Sequence, residues 1–300
     1  MADKNLGILD APHEAMPMAA IGDYEMVLPF QAVGIKPVVL DAAKRLQFGE
    51  ILEGLAPQPV SEWGGVTVYG LAEEEFSGGE WRPMANPVPG DGNILPLESV
   101  KPSDIIGFYS APEELRIAQS TIDVFSGRGA WNQHNNFPKI YQIAVNVRYP
   151  AETILYRLAS TIASQTRANM FIHDNVHGLE KAGAIAAVND MLLLKNSGVL
   201  TLFPNWPDYY NAGFTRLRAG TFLVTASYDG TAGEVAGGVS VYSEKGGELT
   251  LALPWSSVKV TDERGTPVEL TAGTAPNHPD TATATFMTEP GQTYLILKGE

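Results

Sequence analysis

The sequence has no cysteine among its 300 residues, and its lysines and arginines form no cluster. The first absence excludes disulfides, thiolate metal sites and cysteine nucleophiles. The second argues against a nucleic-acid partner, because proteins that bind a duplex usually carry a basic stripe. No apolar run approaches the roughly 18 residues that a transmembrane helix needs, so we expect no membrane span.

The charge that is present is mostly negative. Asp and Glu number 34 against 20 Lys and Arg, which gives a formal net charge of −14 at pH 7. Such a surface repels anionic lipids and nucleic acids, whereas a neutral ligand such as a sugar is unaffected. The start of the sequence lacks the basic and apolar segments of a signal peptide. We therefore leave the localisation open between a cytoplasmic protein and one whose export signal lies upstream.

Residues 1–110 are rich in proline and glycine. Residues 41–55 are the one stretch among them that favours a helix. The glycine pairs at 64–65 and 78–79, together with several prolines between residues 56 and 100, predict loop rather than regular structure. We expect residues 1–110 to form an irregular, loop-rich segment that wraps the helical part of the protein.

Residues 111–207 are predicted to be helical. The first helix has a buried face, marked by apolar residues at three- and four-residue spacing. These residues are Leu115, Ala118, Ile122 and Phe125. Residues 138–147 fit a helix or a strand. Further helices are predicted over residues 151–165 and 179–196, with Gly198 as the glycine that ends the last one.

The spacing of apolar residues changes over residues 208–300. Short apolar strands alternate there with turn dipeptides such as Asp229-Gly230, which predicts a small antiparallel β-sandwich. The boundary is placed near residues 207–213. The expected fold class is therefore α+β with more than one domain: helices first, then a C-terminal antiparallel β-sandwich.

The densest polar segment covers residues 169–181, just before or at the start of the last predicted helix. Its side chains include His173, Asp174, Asn175, His177 and Glu180. One interpretation is that these residues cap the helix and fill its first turn, since Asp, Asn and Glu favour helix N-termini. The other is that a carboxylate acts as a general acid or base in a cleft. The two histidines lack an HExxH pattern and a third ligand, so we expect no metal site.

Aromatic residues beside amides form a second group. Trp131 precedes Asn132 and His134, and Trp206 follows Phe203 after the last helix. Sugar rings stack their apolar faces on aromatic rings, and their hydroxyls pair with amide and imidazole groups. We predict sugar contacts for Trp131, Asn132, His134 and Trp206. The alternative is that these aromatic side chains only pack the helical part against the sandwich. This packing role is our expectation for Phe203.

Three segments resemble a known enzyme family. They read AVNDMLLLKNSGVLTLFPNWP, FTRLRAGTFLVTAS and VSVYSEKGGELTLALPW. In this order they resemble the end of glycoside hydrolase family 95 and its bacterial relatives, and the resemblance covers about residues 131–297. It implies part of an α/α toroid followed by a β-sandwich. The chain is too short for the whole toroid and the preceding β-domain, so we expect a distal part of a larger enzyme or a reduced homologue.

The resemblance also implies an activity. Family members remove α-linked fucose or galactose units from glycans with inversion, without a cofactor, and they are often exported. An acidic residue in the polar loop before the MLL helix helps to activate water, and this implies catalytic roles for Glu180 and Asp174. We also predict that His173, Asn175 and His177 contact the glycan substrate, since amide and imidazole groups pair with sugar hydroxyls.

Inverting hydrolysis needs two carboxyl groups about 6.5–9.5 Å apart. Candidates for the second are Glu14, Asp23 and Glu25, whose alternative role is an ordinary surface turn. Two rival functions remain open besides the hydrolase. One is a carbohydrate-binding homologue without catalysis, and the other is a structural protein that uses the sandwich for assembly. The sequence indicates no oligomeric state.

Overall fold

The computed structural model describes residues 42–54, 57–88, 90, 92–132, 139–168 and 183–299. Across these ranges the protein combines α-helices with largely antiparallel sheets, as the α+β prediction expects. No helix in these ranges is long and apolar enough to span a membrane.

Between residues 42 and 88, the described residues form one helix and two hairpins. Helix α1 covers Ala42–Glu53, close to the predicted range. Strands β1 (Val60–Trp63) and β2 (Val66–Tyr69) form the first hairpin, and β3 (Glu74–Ser77) and β4 (Glu80–Pro83) form the second. The prediction of loop is wrong for these residues. Both glycine pairs have positive φ at both positions, which makes them hairpin turns whose twist suits the flanking strands.

The first hairpin packs on the helical region. Val68 and Tyr69 are 0% and 3% exposed and belong to the core that the helices share. The Tyr69 backbone N–H donates to Thr121 Oγ1 at 2.9 Å. The Thr121 hydroxyl in turn donates to the Ile117 carbonyl at 2.7 Å, so no polar group is left unpaired at this contact.

Among the described residues of the helical region there are four α-helices: α2 (Pro112–Ser126), α3 (Lys139–Asn146), α4 (Ala151–Gln165) and α5 (Gly183–Leu192). The four apolar residues predicted to face the core from α2 are all buried. Helix α3 is the most enclosed. Its residues Ile140, Tyr141, Ile143, Ala144 and Val145 are each 0% exposed. Both of its faces are therefore covered by neighbouring elements.

The last predicted helix ends earlier than expected. Residues Leu193–Asn196 form strand β5, which pairs antiparallel with β6 (Val199–Leu202). Ser197 and Gly198 have φ of 50° and 80° and form the two-residue turn between these strands. Gly198 is thus a hairpin-turn residue, and its assignment as a helix-ending glycine is wrong.

Eight further strands follow: β7 (Ala212–Ala219), β8 (Phe222–Asp229), β9 (Glu234–Ser243), β10 (Gly247–Ala252), β11 (Val258–Asp262), β12 (Thr271–Ala275), β13 (His278–Thr288) and β14 (Gln292–Lys298). They complete two five-stranded sheets. One has the order β12-β13-β10-β6-β5, and the other has the order β11-β14-β9-β8-β7. The pairing of β6 with β10 is parallel, and the other neighbours are antiparallel.

The two sheets share one hydrophobic cluster. Leu200 of β6 and Leu251 of β10 lie in it together with Val224 of β8, Val241 of β9 and Ile296 of β14. Each of these five residues is 0% exposed. Because β5 and β6 belong to the first sheet, the β region begins at residue 193 and not at the predicted residue 208.

A short irregular segment, residues 107–110, joins the helical region to the sheets. The Tyr109 backbone N–H donates to Asn196 Oδ1 at 3.1 Å. Its phenol oxygen lies 2.7 Å from Thr201 Oγ1, and its carbonyl accepts from Asn277 Nδ2 at 2.9 Å. Tyr109 therefore contacts the first sheet through its backbone and its side chain.

The close approach at this junction requires glycine at position 107. A Cβ there would lie 2.2 Å from Asn196 Nδ2 and 2.8 Å from Asn196 Oδ1. We expect Gly107→Ala to displace Asn196 and to lower the free energy of unfolding by about 2 kcal/mol or more, as overpacking does. Urea unfolding measures this loss.

Gly49→Ala is the matched control, because nothing lies within 4 Å of a Cβ placed there on α1. It should leave the unfolding free energy unchanged or slightly higher, since alanine favours a helix. Equal stability of the two variants would contradict the tight junction.

Candidate functional site in the helical region

Most of the predicted site residues lie outside the described part of the chain. These are the proposed catalytic residues Glu180 and Asp174, the predicted substrate contacts His134, His173, Asn175 and His177, and the candidate second carboxylates Glu14, Asp23 and Glu25. Trp131, Asn132 and Trp206 are described.

Trp131 is a core residue. It is 2% exposed, and its indole N–H donates to Ser126 Oγ at 2.6 Å. Its ring lies 5.3 Å from that of Tyr141 and 5.8 Å from that of Tyr149, between centroids. A sugar has no access to a ring enclosed in this way, so the structure corresponds to the packing alternative for Trp131.

Asn132 lies at the surface and is held from below by buried groups. Its Oδ1 accepts from Thr161 Oγ1 at 2.5 Å. The Tyr141 hydroxyl lies 3.0 Å from Thr161 Oγ1 and 3.1 Å from the Trp131 carbonyl. Burial raises the pKa of the Tyr141 phenol, so this chain of hydroxyls stays neutral. Asn132 is therefore an exposed amide with a fixed orientation, which is suited to a polar ligand.

Trp206 is partly buried and packs against both the helical core and the core of the two sheets. Its indole N–H donates to the Tyr210 carbonyl at 2.9 Å. Phe203, at 8% exposure, lies in the core of the sheets as expected for a packing residue. The contacts of Trp206 favour packing between the two regions over stacking on a sugar.

The structure adds a polar group that the sequence analysis did not single out. Asp190 lies on α5, and its Oδ2 accepts from Gln142 Nε2 and from Asn146 Nδ2, each at 3.2 Å. These donors are four residues apart on α3 and so lie on one face of that helix. The signal in the sequence was a charged side chain among the mostly apolar residues of α5.

The electrostatics of Asp190 differ from those of a surface carboxylate. Burial raises the pKa of its carboxyl group, and this outweighs the opposing effects of the Lys101 charge and of the two amide donors. Asp190 nevertheless keeps part of its surface accessible to solvent. Lys101 itself pairs with the buried Asp104. Asp190 is therefore a deep carboxyl group, on a residue that is partly exposed, and it has a preference for its neutral form.

Comparison of the chain with protein-family models found no model that matches. Comparison with curated proteins likewise found no match. Neither comparison assigns a family, so the function is inferred from the geometry of these residues and from the resemblance of the three C-terminal segments.

The position of Trp206 between two cores predicts a stability effect. Trp206→Ala removes apolar contacts to both cores and should lower the free energy of unfolding by about 2 kcal/mol or more. Trp81→Ala is the control, because Trp81 is 67% exposed on β4. Unchanged stability together with weaker glycan binding would instead support the original prediction of a sugar contact.

The pKa of Asp190 predicts a pH dependence. The folded state holds this proton more tightly than the unfolded state, in which the ordinary value is 3.8. Stability is therefore lost as the pH rises from about 4 through the folded pKa, and the loss is complete above it. Asp190→Asn removes this effect, so urea unfolding should show its stability relative to wild type increasing from pH 4 to pH 8.

Asp280→Asn, an exposed substitution on β13, is the control for the loss of one carboxylate. Its stability relative to wild type should stay nearly constant with pH. The same flat profile for Asp190→Asn would show that Asp190 ionises as readily in the folded state as in the unfolded state.

Proposed function

We propose that the chain is a glycoside hydrolase resembling family 95, or the distal part of one, and that it removes α-linked fucose or galactose units by inverting acid/base hydrolysis. The observation that carries this proposal is Asp190, a deep carboxyl group with a raised pKa. A carboxyl group whose pKa is raised by burial holds its proton more tightly than a surface carboxyl group does, which is what a general acid needs.

The position of Asp190 in the chain adds support. It lies in the first of the three resembling segments, residues 187–207, which runs from α5 through β5 and β6 to Trp206. It also lies on the helix that follows the polar loop to which the resemblance assigns catalysis. A helix holds a carboxyl group more rigidly than a loop does.

The finer architecture belongs to the same proposal. In it, α2 to α5 are the distal helices of an α/α toroid, and the two five-stranded sheets form a β-sandwich. The separate hydrophobic clusters of the helices and of the sheets support this division. The cluster shared by both sheets is what face-to-face packing of two sheets produces.

In the proposed reaction, Asp190 gives its proton to the glycosidic oxygen as the bond to the sugar breaks. Glu180 or Asp174, ionised, takes a proton from the water that attacks the anomeric carbon from the opposite face. Asn132 and the amide and imidazole groups of the polar loop bind sugar hydroxyls. A net charge of −14 does not oppose a neutral glycan.

The test is the hydrolysis of aryl α-fucoside, aryl α-galactoside and fucosylated oligosaccharides by the full chain. Glu180→Gln keeps the shape of the side chain and removes its charge, so turnover should fall by about 10²-fold or more while substrate binding persists. Glu263→Gln, at an exposed position, is the matched control and should keep full activity.

Two further variants assign the roles. Asp190→Asn should abolish hydrolysis of substrates with poor leaving groups and spare activated aryl glycosides, because these leave without a proton. An inactive Asp174→Asn beside an active Glu180→Gln would make Asp174 the base. If the wild-type chain hydrolyses none of the substrates, the catalytic proposal fails, and a binding or structural role takes its place.

A further inference from the structure

Two adjacent tyrosines are displayed between the helical region and the second sheet. Tyr209 and Tyr210 are 54% and 50% exposed. Their ring centroids are 4.5 Å apart, and the ring planes meet at 54°. Two exposed aromatic rings side by side offer apolar faces on which a ligand can stack.

The backbone that carries these rings is tightly held. The Tyr210 N–H donates to the Pro207 carbonyl at 3.2 Å, and the Tyr210 carbonyl accepts from the Trp206 indole at 2.9 Å. On the other side, the Gly230 N–H donates to Asn211 Oδ1 at 2.8 Å. A Cβ on Gly230 would lie 2.5 Å from the Tyr209 carbonyl carbon, so the turn after β8 touches this backbone directly. The two rings are therefore presented from a fixed position.

The surroundings of the rings are acidic and polar. The pKa of the Tyr209 phenol is raised, first by desolvation and then by the neighbouring groups Tyr210 and Glu152. Glu152 lies in the first turn of α4. Tyr156, four residues later, shares its helix face and is 70% exposed. The surface thus offers aromatic rings beside carboxylate and phenol groups, which accept and donate hydrogen bonds.

The size of the surface limits what it can bind. Each aromatic side chain offers about 150–250 Å² when fully exposed, so two half-exposed rings present roughly 200 Å² together. A stable protein interface needs about 800 Å² from each partner. The carboxylates repel anionic ligands. A neutral sugar of one or two rings fits this area, since its apolar face stacks on an aromatic ring and its hydroxyls reach the polar rim.

We propose that Tyr209 and Tyr210 form a binding surface for neutral oligosaccharides, with Glu152 at its rim. This inference stands whether or not the chain hydrolyses glycans. In this proposal the aromatic sugar contact is made by the two tyrosines and not by Trp206. The Trp206 indole instead holds the backbone of Tyr210.

The experiment is native gel electrophoresis of the full chain through gels that contain fucosylated xyloglucan, galactomannan or anionic polygalacturonate. Both neutral polymers should retard the wild-type chain, and polygalacturonate should not. The double variant Tyr209→Ala/Tyr210→Ala should bind about tenfold more weakly or worse, with its melting temperature unchanged. Tyr209→Phe/Tyr210→Phe keeps both rings and should retain most of the binding.

Phe76→Ala is the control, since Phe76 is 63% exposed on the hairpin formed by β3 and β4. It should migrate like the wild type in every gel. The proposal is overturned if neither neutral polymer retards the wild-type chain. It is also overturned if the double alanine variant binds as strongly as the wild type. The gel measures binding, and comparison of the double alanine variant with the wild type isolates the two tyrosines from any other glycan site, so its failure is distinguishable from failure of the hydrolysis assays.

Discussion

The helical and β regions depend on a few hydrogen bonds around residues 107–110, a segment without regular secondary structure. Its backbone groups find partners among side chains from distant parts of the chain. The Arg148 Nε donates to the Phe108 carbonyl at 2.7 Å, and the guanidinium lies 4.1 Å from the centre of the Phe108 ring. His278 Nε2 lies 2.9 Å from the Ser110 carbonyl oxygen. An enclosed backbone group without a partner is costly, so these contacts fix how the helices sit on the first sheet.

Much of the fold follows from periodicity, and the exceptions have a common cause. Helix α4 has the predicted bounds, because its apolar residues repeat at helical spacing and proline precedes it. Strands β5 and β6 were missed, since Leu193–Asn196 continue a helical pattern locally. They form a strand by pairing with β6, which in turn pairs with β10. The two hairpins at the glycine pairs were missed for a similar reason, because hairpin turns and irregular loops favour the same residue types. In each of these segments the pairing of strands decided the structure, and the pattern of a single segment does not show that pairing.

The candidate site also contains residues that the sequence predicts and one that it does not. The residue types of Asn132 and the polar loop point to sugar chemistry directly. Asp190 has no such signal, because its distinctive property comes from burial between α3 and α5, which no local pattern reveals. Helix α3 gives this carboxyl its environment: Gln142 and Asn146 hold the acid, while the apolar residues of the same helix remove water from around it. Trp131 and Trp206 show the opposite case. Their residue type suits stacking on a sugar, but Trp131 is buried and Trp206 is partly buried.

The parallel pairing of β6 with β10 has a consequence for how this protein can be divided. Thr250 and Leu251 of β10 lie beside Val199 and Leu200, which come from the helical side of the expected boundary. A polypeptide starting at residue 208 would carry β10 as a bare edge, with its backbone amides and carbonyls open to pairing with other chains. Recombination or subcloning that respects the architecture has to cut upstream of residue 193, so the transferable unit is larger than the strands after Trp206 alone.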